Sequence, residues 1–207
     1  MATDTDLEYL RSIAESGRRA PLLGGRFFVW WGTLAGVTLL LHWSILTGVL
    51  AVPTSMLGAL WLGYGMVGII GSHVLARGLR GKPGKGAVGN MAERAVWGAT
   101  TAAIFAYAIG VAVAVGLGQG SAILFDTIPV VGFCGYGISF SVTAAMGGPG
   151  WMKAMAWMSW LAAAGGLYLV GTPGFYLYAA AVVLLLALAP GLIILRNEPE
   201  AGQVSDE

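Results

Sequence analysis

Charge is what this sequence has least of. Only 10% of its 207 residues are Asp, Glu, Lys or Arg, and 57% are hydrophobic. Soluble domains carry about 25% charge and about 45–50% apolar residues. A mean hydropathy of +0.77 points the same way. An ordinary water-soluble domain is therefore excluded. Cysteine is almost missing too. Cys134 stands alone, so no intrachain disulfide and no cysteine metal cluster can form. The net charge is +1, which argues against nucleic acid or an acidic macromolecule as partner.

Catalytic signatures are also lacking. No HExxH metal motif occurs. One intramembrane aspartate cannot form an aspartyl dyad. In "GIS" at 137–139 the serine is followed by Phe140, where an intramembrane serine protease would have glycine. The loop "RGLRGKPGKG" at 77–86 fits no phosphate-loop register, because Pro83 and Ala87 fall on required positions. "GYG" occurs at 63–65 and 135–137, but Leu62 and Cys134 replace the valine of a potassium filter. No catalytic residue, metal site or cofactor is assigned.

What the chain does have is long apolar runs. Crossing about 30 Å of hydrocarbon takes about 20 apolar residues. Six stretches qualify: 27–48, 54–76, 95–117, 123–146, 151–171 and 174–195. They lack the alternation of barrel strands, so the expected fold is all-α, a six-helix transmembrane bundle over 27–195. A short cytoplasmic segment, 1–26, precedes it and a polar tail, 196–207, follows. Within the first segment, Thr5 and Glu8 form a capping box, and Leu7, Leu10, Ile13 and Ala14 form an apolar stripe. An amphipathic helix over 5–17 is expected there. The first span is too long for a signal-peptide core.

The basic residues set the orientation. Arg11, Arg18, Arg19 and Arg26 precede the first span. Arg77, Arg80, Lys82, Lys85 and Arg94 flank the connection between the second and third. Lys153 opens the fifth and Arg196 closes the sixth. All eleven fall on one side of this threading, and cytoplasmic ends carry the excess of Lys and Arg. Both termini are therefore expected in the cytoplasm. The arginines would form the stop, and Phe27, Phe28, Trp30 and Trp31 an interfacial aromatic belt. Eight Arg against three Lys, with abundant Ala and Gly, points to a bacterial inner membrane. Arg77, Arg80, Lys82 and Lys85 are expected to touch anionic lipid headgroups.

Glycine numbers 33, about twice its usual share of roughly 7%. Small residues allow close helix approach in lipid. Gly63, Gly65 and Gly68 in the second span, and Gly135 and Gly137 in the fourth, are expected at helix-packing contacts inside the bundle. "RFFVWWG" and "RAVWG", with "LGYGMVG" and "CGYGISF", suggest an internal repeat near 70 residues. Such repeats occur in transporters.

Few ionisable residues remain within the spans. His73 lies near the inner edge, in the opposite half from His42, so the two cannot share a haem. His42 and Asp126 are placed at similar depth, a candidate proton-linked pair. The competing assignment, preferred on "DTIPVVGF", makes Asp126 an N-cap with Pro129 in the first turn. The expected function is a non-enzymatic membrane partner or regulatory subunit, binding another membrane protein or its own copies. The alternative is a small transporter or channel, proton-linked through His42 and Asp126.

Overall fold

The computed structural model describes residues 20–198. The helix expected over 5–17, with Arg11, Arg18 and Arg19, and the tail from 199 lie outside the described residues. Every regular element among the described residues is helical. Helix α1 is Gly25–Leu46. A 3-10 turn, Thr54–Met56, leads into α2, Leu57–Arg77. Helix α3 is Val88–Gly116, and a second 3-10 turn, Ala122–Asp126, leads into α4, Thr127–Ala145. Helix α5 is Trp151–Gly166. The last stretch runs through α6 (Gly174–Val183), a π-turn (Leu184–Leu188) and α7 (Ala189–Arg196).

Five stretches are long and apolar enough to cross a membrane: Gly25–Leu46, Thr54–Arg77, Val88–Gly116, Ala122–Ala145 and Gly174–Arg196. The sixth, α5, stops after 16 residues at the Gly165-Gly166 pair, giving about 24 Å at 1.5 Å per residue. Glycine weakens a helix interior, and turns fill the remaining residues to Gly171. The chain still covers the height of the bundle here. At its start Trp151 shares a cavity of about 280 Å³ with Pro21, Leu22, Ile194 and Asn197. At its far end the Gly171 N–H reaches Asp126.

The core is drawn from α1, α4, α5 and the last span. Phe133, Phe140, Phe175, Met152 and Leu186 are fully buried within it. Phe28 stacks on Phe140 and meets the edge of Trp97. Two expectations are corrected by this arrangement. The second span is peripheral: α2 rests on α1, and only 6% of its most apolar window is buried, against 39% for the fourth span. The aromatic block is not a surface belt either. Phe28 is in the core, while Trp30 and Trp31 lie across Gly71 and Gly68 of α2. The Trp30 indole donates to the Gly68 carbonyl at 3.2 Å, and that of Trp31 to Ser72 Oγ at 2.9 Å.

The glycines that pack helices are partly other than those expected. Gly68 faces Trp31, Gly65 faces Phe105, Gly135 faces Thr100 and Gly137 faces Trp160. Gly63 has nothing within 4 Å of a built Cβ, because it lies away from α1, so it is no packing position. The closest crossing is between α1 and the last span. A Cβ on Gly32 would lie 2.7 Å from Leu188 N, on Gly25 2.6 Å from Leu195 N, and on Gly191 2.7 Å from Val29 N. These are backbone atoms, which cannot swing aside. Gly32→Leu or Gly191→Leu should therefore destabilise by at least the about 1–3 kcal/mol of overpacking, measured by thermal unfolding in detergent. Gly63→Leu should stay within about 0.5 kcal/mol of wild type or gain slightly. Equal losses at Gly32 and Gly63 would refute the crossing.

Candidate functional site

The His, Asp, Glu, Lys and Arg side chains of the described bundle gather at its two ends, while Thr100 and Ser139 share a buried hydroxyl contact of 2.7 Å between them. At one end lie Arg26, the 78–87 connection and the close of α7, hereafter the basic end. At the other lie the close of α1, the starts of α2, α4 and α6, and Gly171.

His42 is one turn before the close of α1 and is 6% exposed. Trp61 is one turn into α2, across the α1–α2 connection. Its indole N–H donates to His42 Nδ1 at 3.0 Å. A ring nitrogen that accepts carries no proton, so the neutral ring holds its proton on Nε2. The imidazole lies on the Tyr176 ring, with centroids 3.6 Å apart and planes inclined by 29°. The Tyr176 hydroxyl donates to Asp126 Oδ1. The other carboxyl oxygen, Oδ2, accepts the Gly171 N–H at 2.8 Å. Asp126 is 8% exposed, and both its oxygens are used, which a buried carboxyl needs.

The two residues singled out in the sequence therefore meet through a third. No hydrogen bond joins His42 to Asp126 directly. Tyr176 touches both, one through its ring face and the other through its hydroxyl. Asp126 does occupy the N-cap position of α4, but its side chain makes no capping bond there. The carboxylate turns instead to the α5–α6 connection. The physical reason is that Gly171, with φ +84, presents its N–H inward, and Tyr176 presents a hydroxyl beside it. The two donors together satisfy both oxygens, whereas a cap uses one.

At the basic end Asn90 joins three segments. Its Oδ1 accepts the Leu23 N–H, and its Nδ2 donates to the Pro21 and Gly84 carbonyls, each at 2.9 Å. Arg26 and Lys82 both pair with Glu198, the latter at 2.8 Å. Glu93 is 4% exposed, with its carboxyl against Gly24. Of the expected headgroup residues, Lys82 is thus held in an ion pair, and Arg77, Arg80 and Lys85 are on or beside the same connection. His73 is exposed near the close of α2, with Nδ1 2.9 Å from the Ile69 carbonyl. No group of three or more His, Cys, Asp or Glu able to hold a metal occurs among the described residues.

Sequence reasoning missed Tyr176, Trp61, Asn90 and Glu198. Depth arithmetic could have found two of them. His42 and Trp61 are each about five residues from the α1–α2 connection, and Tyr176 is about as deep in its span as Asp126. Nothing in the sequence marks Asn90 or Glu198.

Comparison of the chain with known protein families, with characterised proteins and with solved structures finds no match. The residues and their geometry alone carry the functional argument.

The cluster predicts a coupling. Tyr176→Phe leaves a buried carboxyl oxygen without its donor and should cost about 1–3 kcal/mol in detergent unfolding. A double-mutant cycle with Asp126→Ala should return a coupling of about 0.5–3 kcal/mol. Strict additivity would show that the two side chains do not interact.

Proposed function

We propose that this is a non-enzymatic, multi-pass protein of a bacterial inner membrane that acts through protein–protein contact, as a small partner or regulatory subunit. One observation carries the reading. The interior is filled by Phe133, Phe140 and Phe175, while α2 packs chiefly on α1 and α3 chiefly on α4, and both leave large apolar side chains such as Met66, Ile70, Ile109 and Val113 exposed. A filled core does not favour a solute path. Outward faces on two long helices favour contact within the membrane. On α3 the exposed positions include Gly98, Ala102, Ala106 and Gly110, spaced by four, the kind of face that admits a second helix closely. The partner is another membrane protein or a second copy of this chain.

The threading has six crossings, with α5 completing a short fifth. Its support is the position of α5, with Trp151 at the basic end and Gly171 at the other. An even number of crossings places both termini on one side, and the basic residues assign that side to the cytoplasm. Cysteine labelling should modify position 85 from the cytoplasm and position 119 from outside. Labelling of position 119 from the cytoplasm would reverse the threading. For the partner, a photo-cross-linker at Ala106 in native membranes should give a discrete heavier species, its mass telling a second copy from another protein. Lipid adducts alone would refute it.

A second reading is proton-linked transport through His42 and Asp126. Its support is the continuous contact from Trp61 through His42 and Tyr176 to Asp126. In liposomes with an internal pH dye, it requires proton flux that Asp126→Asn abolishes. Wild-type flux no faster than empty liposomes would remove this reading and leave the first.

A further inference from the structure

The basic end contains an anion cradle, and the chain fills it with its own carboxylate. Arg26 Nη2 and Lys82 Nζ converge on a single oxygen, Glu198 Oε1. The three side chains are 18%, 12% and 3% exposed, so the carboxylate and both cations are largely withdrawn from solvent. The cradle is held from several directions. Arg26 Nη1 lies over Gly78, where a Cβ would come within 2.6 Å. Gly78 caps the C-terminus of α2, where a cation is favoured by the helix dipole. Lys82 stands between Gly81 and Gly84, at φ +79 and +76, in a connection that Asn90 ties to Pro21. The two cations thus come from separate segments fixed at one spot. Glu198, by contrast, enters from the last described turn of the chain, two residues past α7. Its second oxygen, Oε2, is buried and has no hydrogen-bond partner among the described residues. A carboxylate uses this cradle with one oxygen only. A phosphate carries more oxygens for the same two cations, and bidentate guanidinium contact suits it.

We propose that Arg26 and Lys82 form a binding site for the phosphate of an anionic lipid headgroup, and that Glu198 is the internal occupant that competes for it. The basic end of a membrane protein lies at headgroup depth, and anionic lipid is the phosphate held there at high local concentration. The Glu198 carboxylate is then the exchangeable occupant, displaced when such a lipid enters and re-seated when it leaves. From the functional reading above, this uses only that the basic end lies in a headgroup layer. Which leaflet that is, and whether a protein partner exists, do not matter to it.

The test uses the full chain in nanodiscs of phosphatidylcholine, with or without phosphatidylglycerol. Thermal unfolding and native mass spectrometry of retained lipid are the readouts. Glu198→Gln should lower the unfolding temperature in phosphatidylcholine alone, because the carboxylate that bridges Arg26 and Lys82 loses its charge. Phosphatidylglycerol should restore it. The variant should also bind phosphatidylglycerol about fivefold more tightly than wild type, the factor one charge is worth near an anionic surface. Lys82→Gln should weaken that binding by a similar factor in both backgrounds. Inorganic phosphate is added to the phosphatidylcholine discs as the other arm. Restoration by phosphate as well as by lipid supports the cradle but assigns free phosphate as a ligand, whereas restoration by the lipid alone supports the headgroup. The proposal is overturned if neither restores Glu198→Gln. It is equally overturned if Lys82→Gln leaves phosphatidylglycerol affinity unchanged, a measurement that stands even if Glu198→Gln does not fold. Phosphatidylglycerol occupies both leaflets, so a reversed threading would not alter these outcomes.

Discussion

The fold depends on how closely α1 approaches the last span. Gly25 and Gly32 on one helix, and Gly191 on the other, bring backbone against backbone, and Gly36 meets the end of the Leu184 side chain. In lipid no hydrophobic force draws two apolar helices together, so the attraction is dispersion at short range. It falls away quickly with distance, and a single Cβ at this crossing would remove much of it. Everything else is arranged around the pair. The last span packs on α1, α4 joins through the stacking of Phe28 on Phe140, and α2 and α3 rest on α1 and α4 from outside.

Each end of this crossing carries a polar clasp. At one end the Asp126 carboxylate ties the start of α4 to Gly171 and Tyr176, and His42 with Trp61 ties α1 to α2. At the other, Glu198 ties the end of the last span to Arg26 and Lys82. Such groups are costly to bury unpaired, so the clasps set specificity of arrangement more than stability. They fix which turn of one helix faces which turn of another, a register the apolar core between them leaves loosely defined.

Most helix boundaries were legible because hydrocarbon thickness is a hard ruler. Four stretches start and stop within two residues of the apolar runs, while the third begins at Val88, seven residues before its run. Helix α5 escaped the ruler, since Gly165 and Gly166 end the helix while the apolar run continues. Glycine packing was harder. Counting glycines pointed to α2, but what matters is whether a glycine faces another backbone. The four-residue spacing of Gly32 and Gly36, the familiar signal for close approach, was the better guide. Gly63 shows the converse, a glycine in a rich stretch that touches nothing. At the candidate site, depth placed His42 near Asp126, yet depth says nothing about direction around the helix axis. The third member, Tyr176, decides the contact, and its facing is set by tertiary packing alone. The cap assignment for Asp126 failed for a related reason: local spacing identified the position, and donors 45 and 50 residues away took the side chain.

The π-turn at Leu184–Leu188 bears on this register. Pro190 is buried just beyond it and has no N–H to give. The Ala189 N–H bonds back to Leu184, five residues earlier. One more residue is thereby spent in that turn than an α-helix would use. At 3.6 residues per turn, each residue is about 100° of azimuth. The turn therefore acts as a phase shift: all that follows, from Gly191 to Glu198, is rotated by about 100° relative to an uninterrupted helix. The face of the last span that meets α1 before the bulge is not the face the sequence would extrapolate beyond it. That offset is what aims Gly191 at Phe28 and Val29 and delivers Glu198 to Arg26.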